Sequence, residues 1–230
     1  MGKMTTAGGV ASFAELHRKL ESCGEDWIFR GHADAGWKLI PKAGRKPYLG
    51  HEVALFDSWK RQAVGHVSSN LTSDWDWLAI AQHHGLATRL LDWSTNPLNA
   101  AYFAVKERRA GPAIIHAAKF GDRFNRSAET LFEHPLKCDG VVIFRPCGVV
   151  PRIIRQGGLF TVHGPPENPL ESLVSARIVE LKQIVIAESY RPKLLAELAR
   201  YGVNSASLFA DLDGLSSYFN WTVESGEFLD

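Results

Sequence analysis

Cysteine is scarce in this chain, and its cysteines are not paired. The 230 residues contain three, Cys23, Cys138 and Cys147, and none belongs to a Cys-x-x-Cys pair. This spacing excludes a zinc ribbon and a thioredoxin-like redox motif. A chain of this length buries roughly 70–75% of its unfolded surface, so it needs no disulfides to fold. We expect all three thiols to be small buried hydrophobic groups without a function.

Long apolar runs and an excess of charge of one sign are also missing. No stretch approaches the roughly 18 apolar residues of a membrane helix, and residues 1–12 lack the apolar core of a signal peptide. The net charge is +1, so the overall charge does not indicate nucleic acid or an anionic membrane as the partner. The sequence still allows a local basic groove, because Arg145, Arg152 and Arg155 lie close together along the chain. We expect a reduced cytoplasmic protein without a membrane partner.

The order of the predicted elements indicates a single α+β domain. Hydrophobic periodicity and capping residues predict six helices, at 12–23, 51–66, 75–84, 97–105, 192–201 and 214–221. Apolar runs between turn residues predict six strands, at 27–31, 113–118, 140–144, 159–162, 178–187 and 206–209. Since most helices precede most strands, we expect a mixed or antiparallel sheet built mainly from the C-terminal half. Residues 1–8 and 223–230 are expected to be loose termini.

Polar side chains are unusually dense between two apolar segments of the region 77–105. They are Gln82, His83, His84, Thr88, Arg89 and Asp92. A segment that buries both flanks carries such groups where they pair with one another or meet a ligand. Arg89 and Asp92 could meet on a helical turn, whereas in a strand they would face opposite sides. His83 could either neutralise a helix C-terminus or belong to a site.

Arg30 lies between Phe29 and Gly31 at the end of a predicted strand. Its planar guanidinium can hold a phosphate or a carboxylate by two-point contact. The following glycine would let a bound group approach the backbone closely. The alternative is that Arg30 pairs with an internal carboxylate such as Asp92 and only ties two segments together.

Two later clusters also combine polar groups with turn residues. Gln156 precedes a glycine pair and the predicted strand at 159–162; we expect Gly157 to form the turn and Gln156 to contact a ligand. Asp211 and Asp213 precede the last predicted helix, where one of them should be the N-cap. The other carboxylate could act as a base.

These clusters occur in the order and form of a known family, so that the chain resembles an FRG domain. The matching motifs are Trp27–Gly31, Gln82–Gly85, Thr88–Asp92 with Ala100–Phe103, Gln156–Thr161 and Asp211–Leu215. The resemblance implies one domain over residues 9–222 and a bacterial or phage origin.

More distantly, the chain resembles the ADP-ribosyltransferase fold. That resemblance implies that NAD is the substrate and that Arg30 binds it, with Tyr102 or Phe160 beside the nicotinamide. No metal is expected. The chain departs from the pattern of that fold, because no Glu-x-Glu or Gln-x-Glu lies on a late strand. Glu180 and the carboxylates at 211 and 213 are the nearby substitutes.

The resemblances imply an ADP-ribosyltransferase-like toxin or phage-defence effector that uses NAD and modifies a nucleic acid or protein, with an antitoxin as a further partner. The residues expected to act in catalysis are His83, Arg89, Asp92 and Gln156. The residues expected to bind NAD are Arg30, Gly31, Gln82, Thr88, Tyr102 and Phe160.

Two other functions remain open from the sequence. The first is an RNA- or nucleotide-binding module without catalysis, although the near-neutral charge argues against it. Its phosphate contacts and stacking residues would be Arg30, Arg89, Arg152, Arg155, Trp75, Trp77 and Trp93. The second is a metal-independent nuclease with an acid/base pair centred on His83.

Overall fold

The fold is one antiparallel sheet packed against helices, in a computed structural model that describes residues 9–67, 71, 73–121, 127–146, 156–175, 179–209 and 211–226. In these ranges the six strands are β1 (Ile28–His32), β2 (Leu90–Ser94), β3 (Ala113–Lys119), β4 (Gly140–Phe144), β5 (Gly158–Gly164) and β6 (Glu180–Ile186). Their order in the sheet is β4-β5-β2-β1-β3-β6, and each neighbouring pair is antiparallel.

Nine α-helices accompany the sheet within the same ranges. They are α1 (Phe13–Glu21), α2 (Glu52–Ala63), α3 (Asp74–His83), α4 (Pro97–Val105), α5 (Ala128–Leu131), α6 (Glu171–Ser175), α7 (Arg191–Arg200), α8 (Ser205–Phe209) and α9 (Leu212–Ser225). Short 3-10 turns lie at 42–44, 64–66, 135–137 and 188–190. The predicted α+β class with an antiparallel sheet is confirmed.

The predicted division into a helical first half and a stranded second half is not confirmed. β1 and β2 lie in the first half of the chain, whereas α7, α8 and α9 follow residue 190. The strand predicted at 206–209 is wrong, because this segment forms α8. Asn204 Oδ1 accepts a hydrogen bond from the backbone N–H of Ser207 at 3.0 Å, which favours a helical turn there. β2 has no counterpart among the predicted strands.

Helix ends agree well with the capping residues in the sequence. Ser12 accepts from the N–H of Glu15 at the start of α1, and Asn96 accepts from the N–H of Leu98 at the start of α4. Gly85 has a φ of 84° just beyond α3, a conformation that costs glycine little. These local signals set the end of α3 before β2 and the start of α4 after β2 along the chain.

The helices cover the sheet in two groups. α1, α4 and α7 pack over β1, β3 and β6 around Phe29, Ile115 and Ile184, while α2 and α3 pack over β2, β4 and β5 around Leu90 and Phe160. A third cluster of buried apolar side chains lies on the opposite face of the sheet. The join between the two helix groups falls at β1 and β2, and a cleft opens there.

Candidate functional site

A cleft of about 360 Å³ opens over β1 and β2, with α3 and α4 as neighbours. Asp92 is paired with Phe160, and Phe29 with Ser94, so these four side chains share one face of the sheet and form the floor of the cleft. The cleft is lined by Phe29, Arg30, Gly31, Gln82, His83, Asp92, Trp93, Ser94, Ala100, Phe103, Lys106, Glu107, Gln156 and Phe160.

Arg30 bridges a gap in the sheet. The registered pairing between β1 and β2 is confined to Phe29 and Ser94, so the backbone of Asp92 has no strand partner at this point of β1. Arg30 Nη1 donates to the backbone oxygen of Asp92 at 2.6 Å and lies 3.4 Å from Asp92 Oδ2. Of the two interpretations of Arg30 that the sequence left open, the pairing with Asp92 is observed, and the guanidinium holds the two strands together across the gap.

The carboxylate of Asp92 is held in place by an amide network. Gln82 Nε2 donates to Asp92 Oδ2 at 2.8 Å, and Gln82 Oε1 accepts from the Thr88 hydroxyl at 2.5 Å. Thr88 is buried and also accepts from the N–H of Leu90. Asp92 itself keeps 56% of its side chain exposed. The network therefore fixes the carboxylate while leaving part of it open to the cleft, and Gln82 and Thr88 position it.

Behind Arg30 lie two buried histidines. Arg30 Nε donates to His32 Nε2 at 3.0 Å, so this imidazole nitrogen carries no proton. Burial, with the positive charge of Arg30, lowers the pKa of His32 to about 2 and that of His116 to about 4. The rings of His32 and His116 meet edge to face at 5.0 Å. Both imidazoles are therefore neutral at physiological pH and form a rigid backing for the guanidinium.

Gln156 enters the cleft from the turn before β5. Its backbone oxygen accepts from Ser94 Oγ at 2.5 Å and from Asn99 Nδ2 at 2.9 Å, and its own Nε2 donates to the backbone oxygen of Leu208. The predicted turn at Gly157 is confirmed by a φ of 56°. Gln156 thus lies in the cleft as expected, anchored to β2, α4 and α8.

Aromatic side chains supply the apolar wall of the cleft. Phe103 is partly exposed and lies beside the Lys106 ammonium, which is 5.2 Å from the centre of its ring. Phe160 lines the cleft as predicted, although only 3% of its surface is exposed. Tyr102 does not line this cleft, because it points into the core beside α7 and α8 and borders a neighbouring cavity. Phe103, rather than Tyr102, therefore presents the ring from α4.

The prediction that Arg89 shares the cleft is wrong. Its guanidinium makes a bidentate ion pair with Glu52 on α2, with Nε–Oε1 at 2.9 Å and Nη2–Oε2 at 2.7 Å. Arg89 and Glu52 are 7% and 6% exposed. Of the two alternatives for Arg89 and Asp92, the extended one holds, and each side chain serves a separate partner. The sequence could not reveal Glu52, which lies 37 positions away.

Gly31 makes room for a helix rather than for a ligand. A Cβ at this position would lie 2.0 Å from the backbone oxygen of Ala100 and 2.5 Å from the backbone nitrogen of Ala104. α4 therefore crosses β1 in direct backbone contact, and any larger residue would push the helix away. The expected close approach of a bound group at Gly31 is replaced by this packing contact, although Gly31 still lines the cleft.

Several residues of the cleft were not predicted as site residues. Ser94, Lys106 and Glu107 line it from β2 and from the end of α4. The pattern Lys106-Glu107 directly after an apolar helix was the one signal that could have indicated them. The carboxylates considered as substitutes lie elsewhere: Asp211 accepts from the N–H of Gly214 as the N-cap of α9, and Glu180 is exposed at the start of the edge strand β6.

The described cysteines lie in the core. Burial raises the pKa of the Cys138 thiol to about 11 and also raises that of Cys23, so neither thiol is activated. Cys147, Arg152 and Arg155 lie outside the described residues. Across the described ranges there is no group of three or more side chains that could hold a metal ion, and no helix is long and apolar enough to cross a membrane.

Comparison with protein families identifies the region that builds most of this cleft. The model of the FRG domain family matches residues 25–112. The match assigns these residues, rather than the whole chain, to the FRG domain family. This match contains Arg30, Gln82, His83 and Asp92, whereas Gln156 and the later strands lie beyond it, so the limits 9–222 stay a prediction. No curated protein and no solved structure matches the chain.

Proposed function

We propose that the cleft of this FRG-domain protein binds NAD and that the protein is an ADP-ribosyltransferase. The observation that carries this proposal is the meeting of a guanidinium, a partly exposed carboxylate and aromatic rings in one cleft of about 360 Å³. Arg30 suits a phosphate group, the ring of Phe103 suits a nicotinamide face, and Asp92 suits ribose hydroxyls. These residue types fit the chemical groups of NAD.

Asp92 is the residue best placed to promote the reaction. NAD supplies an ADP-ribosyl group whose C1′–nitrogen bond breaks with its electron pair leaving on nicotinamide. A carboxylate close to the ribose would stabilise the positive charge that develops at C1′. Gln82 and Arg30 hold Asp92 in one orientation, so the charge needs no reorganisation at the moment of reaction.

Glu107 provides a second carboxylate in the cleft. It is exposed and follows α4 directly. We propose that it takes the proton released by the attacking nucleophile of the acceptor, whose new bond to C1′ completes the transfer. The two carboxylates would thus have different roles. Asp92, held by an arginine, would stabilise the charge at C1′, and Glu107, open to the acceptor, would take the proton.

Gln156 and His83 are proposed to orient the substrate. The backbone of Gln156 is anchored by Ser94 and Asn99, so its side chain has a defined origin in the cleft. His83 stands at the end of α3 and contacts the ring of His84 edge to face at 4.9 Å. An imidazole and an amide can both donate and accept, which suits ribose hydroxyls.

We also propose that the acceptor is a nucleic acid or a protein and that the chain is a toxin or phage-defence effector with an antitoxin partner. The support for this part is the resemblance of its motifs to FRG domains. The open cleft, with the exposed Glu107 at its edge, is compatible with a large acceptor.

The test is the release of nicotinamide from NAD by the purified protein, with and without RNA, DNA or cell protein. We expect release that falls at least about 10²-fold in Asp92→Asn, the size typical of a lost acid/base or charge-stabilising group. Asp57→Asn is the matched control, since Asp57 is an exposed carboxylate on α2 outside the cleft. No release under any condition, or equal loss in both variants, refutes the proposal, and RNA binding without release would favour the binding module.

A further inference from the structure

A second cavity lies on the other side of Arg30 and Gln82. It measures about 290 Å³ and shares these two residues with the cleft. We call it the basic pocket and define it by the polar and aromatic side chains that line it. These are Arg30, His32, Trp37, Lys42, Arg45 and Gln82.

The basic pocket contains more positive than negative charge. Lys42 Nζ donates to the backbone oxygen of Gly85 at 3.0 Å, and Arg45 donates to the backbone oxygens of Ile40 and Lys38, each at 3.0 Å. These acceptors are neutral. Neither Lys42 nor Arg45 has a carboxylate within 4.0 Å in the parts of the chain that the structure describes.

Asp92 balances only one of these charges. It is paired with Arg30 at 3.4 Å and is itself 56% exposed. The positive charges of Lys42 and Arg45 are therefore left without a carboxylate partner among the described residues. Like charges gathered in this way repel each other, and a bound anion would remove that repulsion.

A buried polar atom in the same pocket is incompletely paired. His32 is 5% exposed, and because its Nε2 accepts from Arg30, the proton of the neutral ring belongs on Nδ1. This Nδ1 makes no hydrogen bond of normal geometry among the described residues, although the backbone of Trp37 is close enough to favour a proton on the ring. An oxygen atom of a ligand or water in the pocket would give this donor a better acceptor.

We infer that the basic pocket binds a phosphate group of a nucleotide or nucleic-acid strand. Lys42 has further N–H donors beyond the one given to Gly85, and no described residue accepts a hydrogen bond from Arg45 Nη1, so both can reach an oxyanion without breaking their loop contacts. Trp37 is 38% exposed and adds an aromatic surface at the rim. The Arg109 guanidinium lies 5.1 Å from the centre of this ring, and a base could stack on the part of the ring that remains exposed. The inference does not depend on cleavage of NAD.

The shared wall links this pocket to the proposed cleft. Arg30 and Gln82 border both cavities, so a phosphate in the basic pocket would lie beside a nucleoside in the cleft. Arg30 would then contribute to two subsites of one ligand. The same geometry suits either the pyrophosphate of a dinucleotide or the backbone phosphate of an acceptor strand.

The experiment is calorimetric titration of the whole chain with inorganic pyrophosphate, ADP and a short single-stranded oligonucleotide. Lys42→Gln and Arg45→Gln remove one charge each while the amide can still donate to a backbone oxygen. Lys38→Gln is the matched control, because Lys38 is exposed in the same loop and does not line the pocket. Thermal melting checks that each variant remains folded.

We expect each pocket variant to raise the Kd of at least one phosphate ligand about tenfold or more, the effect of losing one charge-assisted hydrogen bond. Lys38→Gln should change it less than about twofold, since an exposed charge outside the pocket is screened. Sensitivity of pyrophosphate and ADP indicates a nucleotide diphosphate, whereas sensitivity of the oligonucleotide alone indicates a strand phosphate.

Two results overturn the inference. One is that none of the three ligands binds to the folded wild-type protein. The other is that Lys38→Gln weakens binding as much as Lys42→Gln and Arg45→Gln do. Failure of the NAD assay leaves these outcomes unaffected, because the titration measures binding and not turnover. Conversely, nicotinamide release with no effect of the pocket variants would retain the proposed function and reject the phosphate pocket.

Discussion

Removing the carboxylate of Glu52 should destabilise the protein severely. Arg89 donates four hydrogen bonds of 2.7–3.0 Å to this carboxylate, from its backbone N–H, Nε and Nη2. Both residues are less than 10% exposed, so solvent cannot take over these contacts. In Glu52→Leu the guanidinium remains buried and unpaired. Loss of one partner of a buried ion pair costs about 3–5 kcal/mol, a large share of a typical stability.

The assay is equilibrium unfolding in guanidinium chloride, followed by circular dichroism. A double variant, Glu52→Leu with Arg89→Met, removes the unpaired charge and should recover much of the lost free energy of unfolding. Asp92→Asn provides the contrast. Its partner Arg30 is 3.4 Å away and its side chain is 56% exposed, so the change should cost less than about 1 kcal/mol.

Two results would refute this reasoning. One is a Glu52→Leu protein that unfolds within about 1 kcal/mol of the wild type, because a buried ion pair that loses one partner should cost several times more. The other is a double variant whose loss of free energy of unfolding exceeds the sum of the losses in the two single variants. In either case the pair would be exposed in solution, and Arg89 could again be considered as a residue of the cleft.

Three further predictions concern the buried imidazoles, Gly31 and His83. The imidazoles of His32, His116 and His163 have pKa values lowered by burial to about 2, 4 and 3, below the unfolded value near 6.5. These imidazoles therefore take up protons only in the unfolded chain as the pH falls from about 6.5 to 4. Unfolding titrations should show that the free energy of unfolding falls by about 1.4 kcal/mol per pH unit for each imidazole. An equal free energy of unfolding at pH 7 and pH 5 would contradict this prediction. Gly31→Ala should lower the free energy of unfolding by about 1–3 kcal/mol or more, because its Cβ meets the backbone of α4; a melting temperature like that of the wild type would show that the helix can shift freely. His83→Ala should lose nicotinamide release yet melt normally, since His83 is only partly buried at the end of α3; an active variant removes His83 from the proposed site.

Local signals in the sequence were sufficient for most of the elements and for the polar half of the site. Ser12, Asn96 and Asp211 cap helices as their side chains and positions indicate, because capping depends on neighbours within three residues. The motifs around Arg30 and Gln82 indicated a shared site, since polar groups on apolar segments need a common partner. They do meet at Asp92.

The sequence did not reveal which residues far apart in the chain would contact each other. From their positions in the sequence alone, Arg89 and Asp92 are equally good candidates for the site. Tertiary packing brings Glu52 from α2 to Arg89 and leaves Asp92 in the cleft. Likewise, the segment 206–209 is apolar enough for a strand, but Asn204 and Ser207 start a helix that packs on α4 and α9.

The sequence by itself determined where helices begin, which segments are buried and which polar residues need partners, because these depend on side-chain chemistry and spacing. The tertiary structure alone decided which partner each charge received. The gap between β1 and β2 admits Arg30, the crossing of α4 at Gly31 shapes the wall of the cleft, and the loop carrying Lys42 and Arg45 closes a second pocket. Each of these contacts joins residues far apart in the chain, and local preferences carry no information about such distances.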